Sequence, residues 1–299
     1  MKQKLFPLLS AAIHNATHRP FEVCGATAVG GGSINEAFCL EGTNNECYFL
    51  KLNDARHYPM FEAEAAGLAA ITATNTVRVP QPIAHGIAGD RSFLVLEYLE
   101  LSPQGDARRL GKQLAALHRC KGTQFGFAQD NFIGTTPQSN TWKDNWIDFW
   151  REQRLGFQLQ FAAQNGYGGQ LQSLGEKLLD TLPAFFEGYN PQPSLLHGDL
   201  WSGNHAYTED GAPTIFDPAT YYGDRECDIA MTELFGGYPA NFYSAYREEW
   251  PLHEGYEIRR DLYNLYHVLN HANLFGGGYV SQAEQLMKDL LVVGQKTGL

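Results

Sequence analysis

The feature that most constrains the fold of this chain is a change in hydrophobic patterning near residue 100. Before that point, short runs rich in β-branched and aromatic residues are bounded by turn residues, which is typical of strands: YFLKLN, VRVPQPIAHGI and RSFLVLEYLE. After it, longer segments carry apolar residues at helical spacing, such as DARRLGKQLAALHRC and NWIDFWREQRLGFQLQFAAQN. We therefore predict an α+β fold in which residues 1–100 form a small antiparallel sheet domain and residues 101–299 form a mainly helical domain.

Within the first domain, a glycine segment separates two predicted strands. Residues 22–29 and the segment following VGGGSIN are both rich in strand-forming residues, so we expect an antiparallel pair joined across the glycines. The segment MFEAEAAGLAAITA has alanine, glutamate and leucine at helical spacing and predicts one long helix against this sheet.

Composition excludes several classes of function. The chain has 22 Lys and Arg against 33 Asp and Glu, a net charge of −11, which argues against a nucleic-acid-binding protein. The apolar runs fall well short of the roughly 18 residues that a membrane span needs. We interpret the N-terminal segment MKQKLFPLLSAAIHNAT as an amphipathic helix, because a signal peptide has a longer apolar region and a cleavage site. Five scattered cysteines without a CxxC pair predict reduced thiols and a cytoplasmic location.

The segment LLHGDLWSGNHAY carries the most informative spacing in the chain. Asp199 and Asn204 lie five residues apart in a stretch punctuated by two glycines. In phosphoryl transfer from ATP, an Asp at this spacing accepts the proton of the attacking hydroxyl and the Asn amide oxygen binds Mg²⁺. A turn capped by Asp and Asn is the structural alternative. His197 is expected to brace the loop by hydrogen bonds.

A lysine and a glutamate upstream fit the same reaction. Lys51 lies inside an apolar strand, and Glu64 follows 13 residues later in the predicted helix. A strand lysine paired with a helix glutamate holds the α- and β-phosphates of ATP in kinases. We prefer Glu64 to Glu62, because Glu64 continues onto the apolar face of the helix with Leu68 and Glu62 points elsewhere. An exposed edge lysine is the alternative for Lys51.

Two further features complete the set. Four consecutive residues could cover the phosphates, because glycine lets backbone N–H groups approach an anion, although a simple turn uses the same residues: Gly30, Gly31, Gly32 and Ser33. No Gly-Lys-Ser/Thr follows, so this is not a P-loop ATPase. Asp217 ends the apolar segment TIFDPA and offers a second hard oxygen ligand for Mg²⁺. The order Lys, Glu, Asp, Asn, Asp predicts an ATP- and Mg²⁺-dependent phosphotransferase.

At these residues the chain resembles the kinase-like phosphotransferases of small molecules, and in particular the fructosamine kinase (ketosamine 3-kinase) family. The resemblance extends from about residue 25 to residue 278 and rests on LLHGDLWSGN, DPATYYGDRECDIAMTELFGGY, MFEAEAAGL and LNHANLFGGGY. It implies a two-lobed protein-kinase-like fold. It also implies phosphorylation of the 3-hydroxyl of a ketosamine, which gives an unstable product that releases the amine. The residues matching the adenine-binding hinge are Glu97, Tyr98 and Leu99.

The resemblance leaves the substrate contacts less defined. Trp201 is expected either to wall the sugar site or to lie in the core, and His271 either to face the pocket or to act as a core or capping residue. Asp224 and Glu226 follow Asp217 closely and are expected to meet the substrate amine or, internally, Arg225.

Two other functions stay open on the sequence alone. A kinase of the aminoglycoside or choline kinase type would use the same catalytic residues on another acceptor, because fold does not determine the acceptor. A non-catalytic pseudokinase would normally lack one of four residues that this chain retains: Lys51, Asp199, Asn204 and Asp217. The sequence does not distinguish a free ketosamine from a glycated protein amine as the substrate, nor a monomer from a homodimer.

Overall fold

The structure is a computed structural model that describes residues 2–30 and 34–297. Its helices are α1 (Lys2–Thr17), α2 (Tyr58–Ala73), α3 (Ala107–His118), α4 (Trp146–Phe149), α5 (Phe157–Gln164), α6 (Gln170–Thr181), α7 (Glu226–Leu234), α8 (Ala240–Glu249), α9 (Tyr256–Phe275) and α10 (Gly278–Thr297). Its strands are β1 (Val23–Ala28), β2 (Glu36–Gly42), β3 (Cys47–Asp54), β4 (Pro82–Ala88), β5 (Arg91–Glu97), β6 (Leu101–Ser102), β7 (Asn131–Ile133), β8 (Thr136–Gln138), β9 (Ser194–Leu196), β10 (His205–Thr208), β11 (Pro213–Ile215) and β12 (Tyr221–Gly223).

The chain divides into two compact units. The first comprises Met1–Asp106 and His205–Pro218, and the second comprises Ala107–Asn204 and Ala219–Leu299. The sequence led us to expect one boundary at residue 100, whereas the chain re-enters the first unit for the segment 205–218. That return depends on strand pairing between residues about 100 positions apart, which local patterning does not reveal.

The first unit is built on a five-stranded antiparallel sheet with the order β1-β2-β3-β5-β4. Helices α1 and α2 cover parts of it, and one core is shared by α1 and the sheet through side chains such as Leu9, Leu50 and Val95. The predicted strand pair across the glycine segment is confirmed, because β1 and β2 pair with Thr27 opposite Cys39. In the centre of the sheet, Lys51 lies opposite Ala37 on one side and Leu94 on the other.

A small second sheet in the first unit explains why the segment 205–218 belongs there. Strand β10 pairs with β6 through Tyr207 and Ser102, and with β11 through His205 and Ile215. Residue Arg78 forms an isolated bridge with Thr214. These pairings attach β11 to the first unit and therefore carry Asp217, two residues beyond β11, into the same unit as Lys51.

The second unit is mainly helical, as the periodicity predicts. Its core is formed by α4, α5, α6, α7, α9 and α10 around large aromatic side chains, including Phe149, Trp150 and Tyr263. A stretch of π-helix, Trp150–Gly156, joins α4 to α5. The short strands β9 and β12 pair antiparallel, with Leu196 opposite Tyr221. Strand β9 leads directly into residues 197–199, the HGD segment.

No helix within residues 2–30 and 34–297 combines the length and the apolar character that crossing a membrane requires.

Candidate active site

Lys51 lies between two carboxylates of the first unit. Its Nζ is 2.6 Å from Oε1 of Glu64 on α2 and 2.5 Å from Oδ1 of Asp217. The lysine is only 6% exposed, so the strand holds its ammonium in a dry environment where ionic hydrogen bonds are strong. The structure therefore brings together three residues that the sequence singled out separately, and Glu64 rather than the exposed Glu62 contacts the lysine.

Burial and neighbouring charges shift the pKa values of Lys51 and Glu64. Burial alone would lower the pKa of Lys51, but the carboxylates of Asp217 and Glu64 outweigh it and raise that pKa well above its usual value. Burial also raises the pKa of Glu64, while Lys51 opposes that shift. Lys51 therefore stays a cation at neutral pH.

Asp217 has a backbone conformation that few residues other than glycine adopt. Its φ is +57°, in the left-handed region, where aspartate is one of the better tolerated residues. The side chain remains 48% exposed even though one oxygen binds Lys51. Strained backbone of this kind is enriched at functional sites, and here it directs a solvent-accessible carboxylate from the end of β11.

The HGD segment in the second unit forms a tightly constrained loop after β9. The backbone N–H of Asp199 donates to Nδ1 of His197 at 3.2 Å, so this ring braces the loop as the sequence led us to expect. Gly198 adopts a φ of +86°, and a Cβ at this position would lie 2.1 Å from the carbonyl oxygen of Ala219. Only glycine fits there, and the half-buried Asp199 is held immediately after it.

Asp228 on α7 anchors the backbone of this loop. Its carboxylate accepts hydrogen bonds from the backbone N–H groups of His197 at 2.7 Å and Gly198 at 2.8 Å. It also contacts Nε2 of the buried His118 at 3.1 Å. Burial alone would raise the pKa of Asp228, but the hydrogen bond from His118, the electrostatic influence of His118 and His197, and the hydrogen bond from the Gly198 N–H outweigh it and lower that pKa. Asp228 is thus a buried, charged residue whose oxygens hold the backbone beside Asp199, and sequence reasoning missed it.

Asn204 completes the loop. Its Nδ2 donates to the carbonyl oxygen of Asp199 at 2.9 Å and lies 3.5 Å from Oδ2 of the same residue. Because the nitrogen is turned to Asp199, Oδ1 of this amide is the atom suited to bind a cation. The structure thus brings Asp199 and Asn204 together in the second unit, while Asp217 belongs to the first.

Asn204 in the second unit and Asp217 in the first each carry an oxygen whose chemistry suits Mg²⁺. Both are hard ligands, and Mg²⁺ commonly binds one or two protein oxygens and completes its shell with phosphates and water. In the part of the chain that the structure describes, no group of three or more His, Cys, Asp or Glu side chains forms a metal site.

The expected hinge residues lie at the end of β5. The side chain of Glu97 accepts a hydrogen bond from Nη2 of Arg78 at 2.5 Å, and its backbone N–H donates to Gln81. Tyr98 and Leu99 follow the strand and are half-buried. Of the glycine segment, Gly30 is exposed in a bend with no atom near its potential Cβ. Gly31, Gly32 and Ser33 lie outside the described residues.

Two of the four expected substrate residues are accessible. Trp201 is 38% exposed, and its ring packs over Gly203, where a Cβ would lie 2.2 Å from the indole. His271 on α9 is half-buried, with Nδ1 donating to the carbonyl oxygen of His267 at 2.8 Å. The ring of His271 lies 4.9 Å from that of Phe235. Neither side chain is a core residue.

The expectation that Asp224 and Glu226 meet the substrate amine is not supported by their placement. Asp224 is 1% exposed and accepts hydrogen bonds from the hydroxyls of Tyr189 and Tyr263. Glu226 is fully buried and forms a bidentate pair with Arg259 on α9, at 2.7 and 3.1 Å, rather than with Arg225. A buried carboxylate must be paired inside the protein, and these two already are. We correct both assignments to structural roles in the second unit.

Comparison with known proteins shows which family this chain resembles. The family model described as fructosamine kinase matches residues 5–293. A protein named "Probable ketoamine kinase" from Synechocystis is 48% identical over 95% of this chain and 96% of its own length. A chloroplastic protein-ribulosamine 3-kinase from Oryza sativa is 43% identical over 90% of this chain and 80% of its own length.

Solved structures confirm the predicted protein-kinase-like fold. The crystal structure of a "Putative fructosamine-3-kinase" from Haemophilus somnus has a TM-score of 0.86 and 30% identity, and the match covers 96% of this chain and 99% of that chain. The choline kinase LicA from Streptococcus pneumoniae, at 13% identity and a TM-score of 0.63, shares the fold alone, with 97% of this chain and 99% of that chain covered. By the family model and these sequence identities, the chain belongs to the fructosamine kinase family.

Proposed function

We propose that this protein is a ketosamine 3-kinase, which transfers the γ-phosphoryl group of ATP to the 3-hydroxyl of a sugar joined to an amine by glycation. The observation that carries the proposal is the constrained loop holding Asp199 beside Asn204, in a chain that belongs to the fructosamine kinase family. Relatives named ketoamine kinase and protein-ribulosamine 3-kinase support the choice of acceptor.

Asp199 is the proposed base of this reaction. Its carboxylate accepts the proton of the 3-hydroxyl as that oxygen forms a bond to the γ-phosphorus and the bond from phosphorus to the ADP oxygen breaks. The hydrogen bonds to His197 and Asp228 hold the backbone N–H groups of Asp199 and Gly198 in place during this step. Because the protein does little covalent chemistry in phosphoryl transfer, such positioning supplies much of the rate enhancement.

Lys51 and Glu64 are proposed to position ATP. Lys51, kept charged by its carboxylate neighbours, is suited to bind the α- and β-phosphates, and Glu64 retains it while the phosphates replace the contact to Asp217. Asn204 and Asp217 would hold Mg²⁺, which when bound neutralises charge on the phosphates. We assign the glycine segment 30–33 to covering the phosphates and residues 97–99 to contacting adenine, as the family resemblance implies.

The fate of the product gives the reaction its purpose. A ketosamine 3-phosphate is unstable and breaks down to free the amine, so the enzyme would reverse glycation of small amines or of protein amines. We further propose a cytoplasmic location, where ATP is available and where the five cysteines, all free in the structure, stay reduced.

The test is ADP production with Mg²⁺ and ATP across four acceptors: ribuloselysine, fructoselysine, choline and an aminoglycoside. We expect turnover on ketosamines alone. The Asp199→Asn variant should bind ATP nearly as tightly and lose at least about 100-fold in kcat, the range that a positioned base contributes. Turnover restricted to choline or the aminoglycoside would reassign the acceptor, and an Asp199→Asn variant within a few-fold of the parent would refute the base.

A further inference from the structure

A cluster of partly exposed aromatic rings lies on the second unit beside the HGD loop. Four of these rings contact one another, those of Phe235, His271, Phe275 and Tyr279, and Trp201 lies on the adjoining loop, where Ser202 bonds to Phe235; we call these four rings and Trp201 the aromatic cluster. Phe275 is 69% exposed, and Trp201 is 38% exposed. Large aromatic side chains grouped at a surface in this way commonly mark a binding site, because burying them against a ligand removes apolar area from water.

His271 is the centre of the cluster. Its ring lies 4.9 Å from Phe235, 5.6 Å from Phe275 and 5.1 Å from Tyr279, measured between ring centroids. The two glycines that follow Phe275, Gly276 and Gly277, both have positive φ, and this turn between α9 and α10 brings the rings of Phe275 and Tyr279 within 6.5 Å. The turn therefore places these rings together on one surface.

The cluster is continuous with the loop that carries the proposed base. Trp201 lies two residues beyond Asp199, and its carbonyl oxygen accepts hydrogen bonds from the hydroxyl of Tyr238 and the backbone N–H of Asn204. The next residue, Ser202, donates from Oγ to the carbonyl oxygen of Phe235 at 3.3 Å. A substrate held by Asp199 thus has the aromatic cluster next to it within the same unit.

The chemistry of the cluster suits a substituted ammonium. Aromatic faces attract ammonium groups and pack against the carbons attached to them. Nδ1 of His271 donates to the carbonyl oxygen of His267, which leaves Nε2 as the ring nitrogen that an ammonium N–H can approach. A ketosamine carries a secondary ammonium one carbon from the sugar carbonyl, followed by the rest of the amine.

We propose that the aromatic cluster binds the amine part of the ketosamine, its ammonium and the carbon substituent beyond it, and so selects substrates with a bulky substituent. This inference rests on the proposed kinase function. It assigns Phe235, Phe275 and Tyr279 to substrate specificity, in addition to the two residues that the sequence singled out, and it leaves the sugar to the loop of Asp199.

Two synthetic ketosamines that share one sugar test the proposal: a 1-benzylamino and a 1-methylamino derivative of the same 1-deoxyketose. We expect Phe275→Ala and Tyr279→Ala each to raise KM for the benzylamino substrate about 10-fold, with kcat unchanged. For the methylamino substrate KM should change less than about 2-fold, because this compound has the ammonium but lacks the bulky substituent that the rings of Phe275 and Tyr279 are proposed to contact. Val292→Ala is the matched control, because Val292 is also highly exposed (55%) on the same unit, and it should leave both KM values unchanged.

A calorimetric titration of each ketosamine into parent and variants separates this proposal from the proposed function. Weaker binding of the benzylamino compound alone to Phe275→Ala supports the aromatic cluster, whether or not turnover is seen. Equal effects on both compounds, no effect on either, or no binding to the parent would overturn it. Failure of the parent to phosphorylate either compound while the titration still shows the selective loss would instead contradict the kinase assignment.

Discussion

The carboxylate of Asp228 accepts a hydrogen bond of 2.8 Å from the backbone N–H of Gly198, although the two residues are 30 positions apart. Gly198 is the residue immediately before the proposed base. A buried acid on α7 therefore sets the backbone position of Asp199, and this relationship gives the loop its rigidity. Asp228 makes no proposed contact with the substrate, so we regard it as a positioning residue.

Replacing Asp228 by Asn tests this positioning. The amide has one accepting oxygen in place of two, so it cannot keep all the contacts to His118 and to the backbone N–H groups of His197 and Gly198, and the loop loses part of its anchor. We expect kcat to fall about 10- to 100-fold with KM for both substrates nearly unchanged. Asp261→Asn, at a partly exposed acid on α9, is the control and should retain full kcat. A loss confined to thermal stability, with kcat intact in the folded fraction, would show that Asp228 is only structural.

Two glutamates of one helix provide a matched test of the ATP site. Glu64 contacts Lys51, whereas Glu62 is exposed. We expect Glu64→Gln to lower kcat/KM for ATP about 10- to 100-fold, because Lys51 loses a charged partner that positions it. Glu62→Gln should stay within about 2-fold of the parent. Equal effects of the two substitutions in steady-state kinetics would refute the Lys51–Glu64 assignment.

Substitutions at two glycines with positive φ distinguish the cost of backbone strain from the cost of a steric clash. Gly198 has a φ of +86° and no room for a Cβ, whereas Gly166 has a φ of +88° with no atom within 4 Å of that position. We expect Gly166→Ala to cost about 1 kcal/mol of unfolding free energy, from strain alone. Gly198→Ala should cost about 3 kcal/mol or more, because the backbone of Ala219 must move. Denaturant titration measures both values, and similar losses would contradict the close packing of Gly198 against the backbone of Ala219.

The buried His267 makes stability depend on pH. Burial, and next the nearby His271, lower its pKa to about 3, against about 6.5 in an unfolded chain. Below about pH 6.5, His267 binds a proton in the unfolded chain but not in the folded chain, so protonation favours unfolding. The free energy of unfolding is therefore highest above that pH and decreases as pH falls. Relative to His267→Gln, the parent should lose about 2 kcal/mol of unfolding free energy between about pH 7.5 and about pH 5. If the difference in unfolding free energy between the parent and His267→Gln does not change with pH, a buried, neutral His267 is ruled out.

Local pattern predicted the parts of the site that depend on spacing along the chain. The strand lysine and helix glutamate form the expected pair, and the HGD loop has the expected brace from His197. The helices and main strands follow the sequence periodicity because each buries one face against a core. These features need only information within one element or between neighbouring elements.

The features that the sequence did not reveal depend on contacts between distant residues. The HGD loop is anchored by Asp228, some 30 residues further along the chain. The only local signal for Asp228 is that it belongs to GDRECDIAM, a short segment with three acidic residues. The sequence predicts Asp224 and Glu226 either at the substrate amine or beside Arg225, because sequence shows charge and not burial. Glu226 finds its partner, Arg259, 33 residues later on α9, and no periodicity indicates such a pair.

The position of the transferred phosphate tests the central claim most directly. A phosphorus–proton correlation NMR spectrum, recorded early in a reaction with Mg²⁺, ATP and a ketosamine, identifies the carbon that bears the new ester. We predict coupling of phosphorus to the proton on C3 of the sugar, followed by release of the free amine as that ester disappears. Phosphate on any other hydroxyl, or ATP consumption that yields only inorganic phosphate, would contradict the assignment of this protein as a ketosamine 3-kinase.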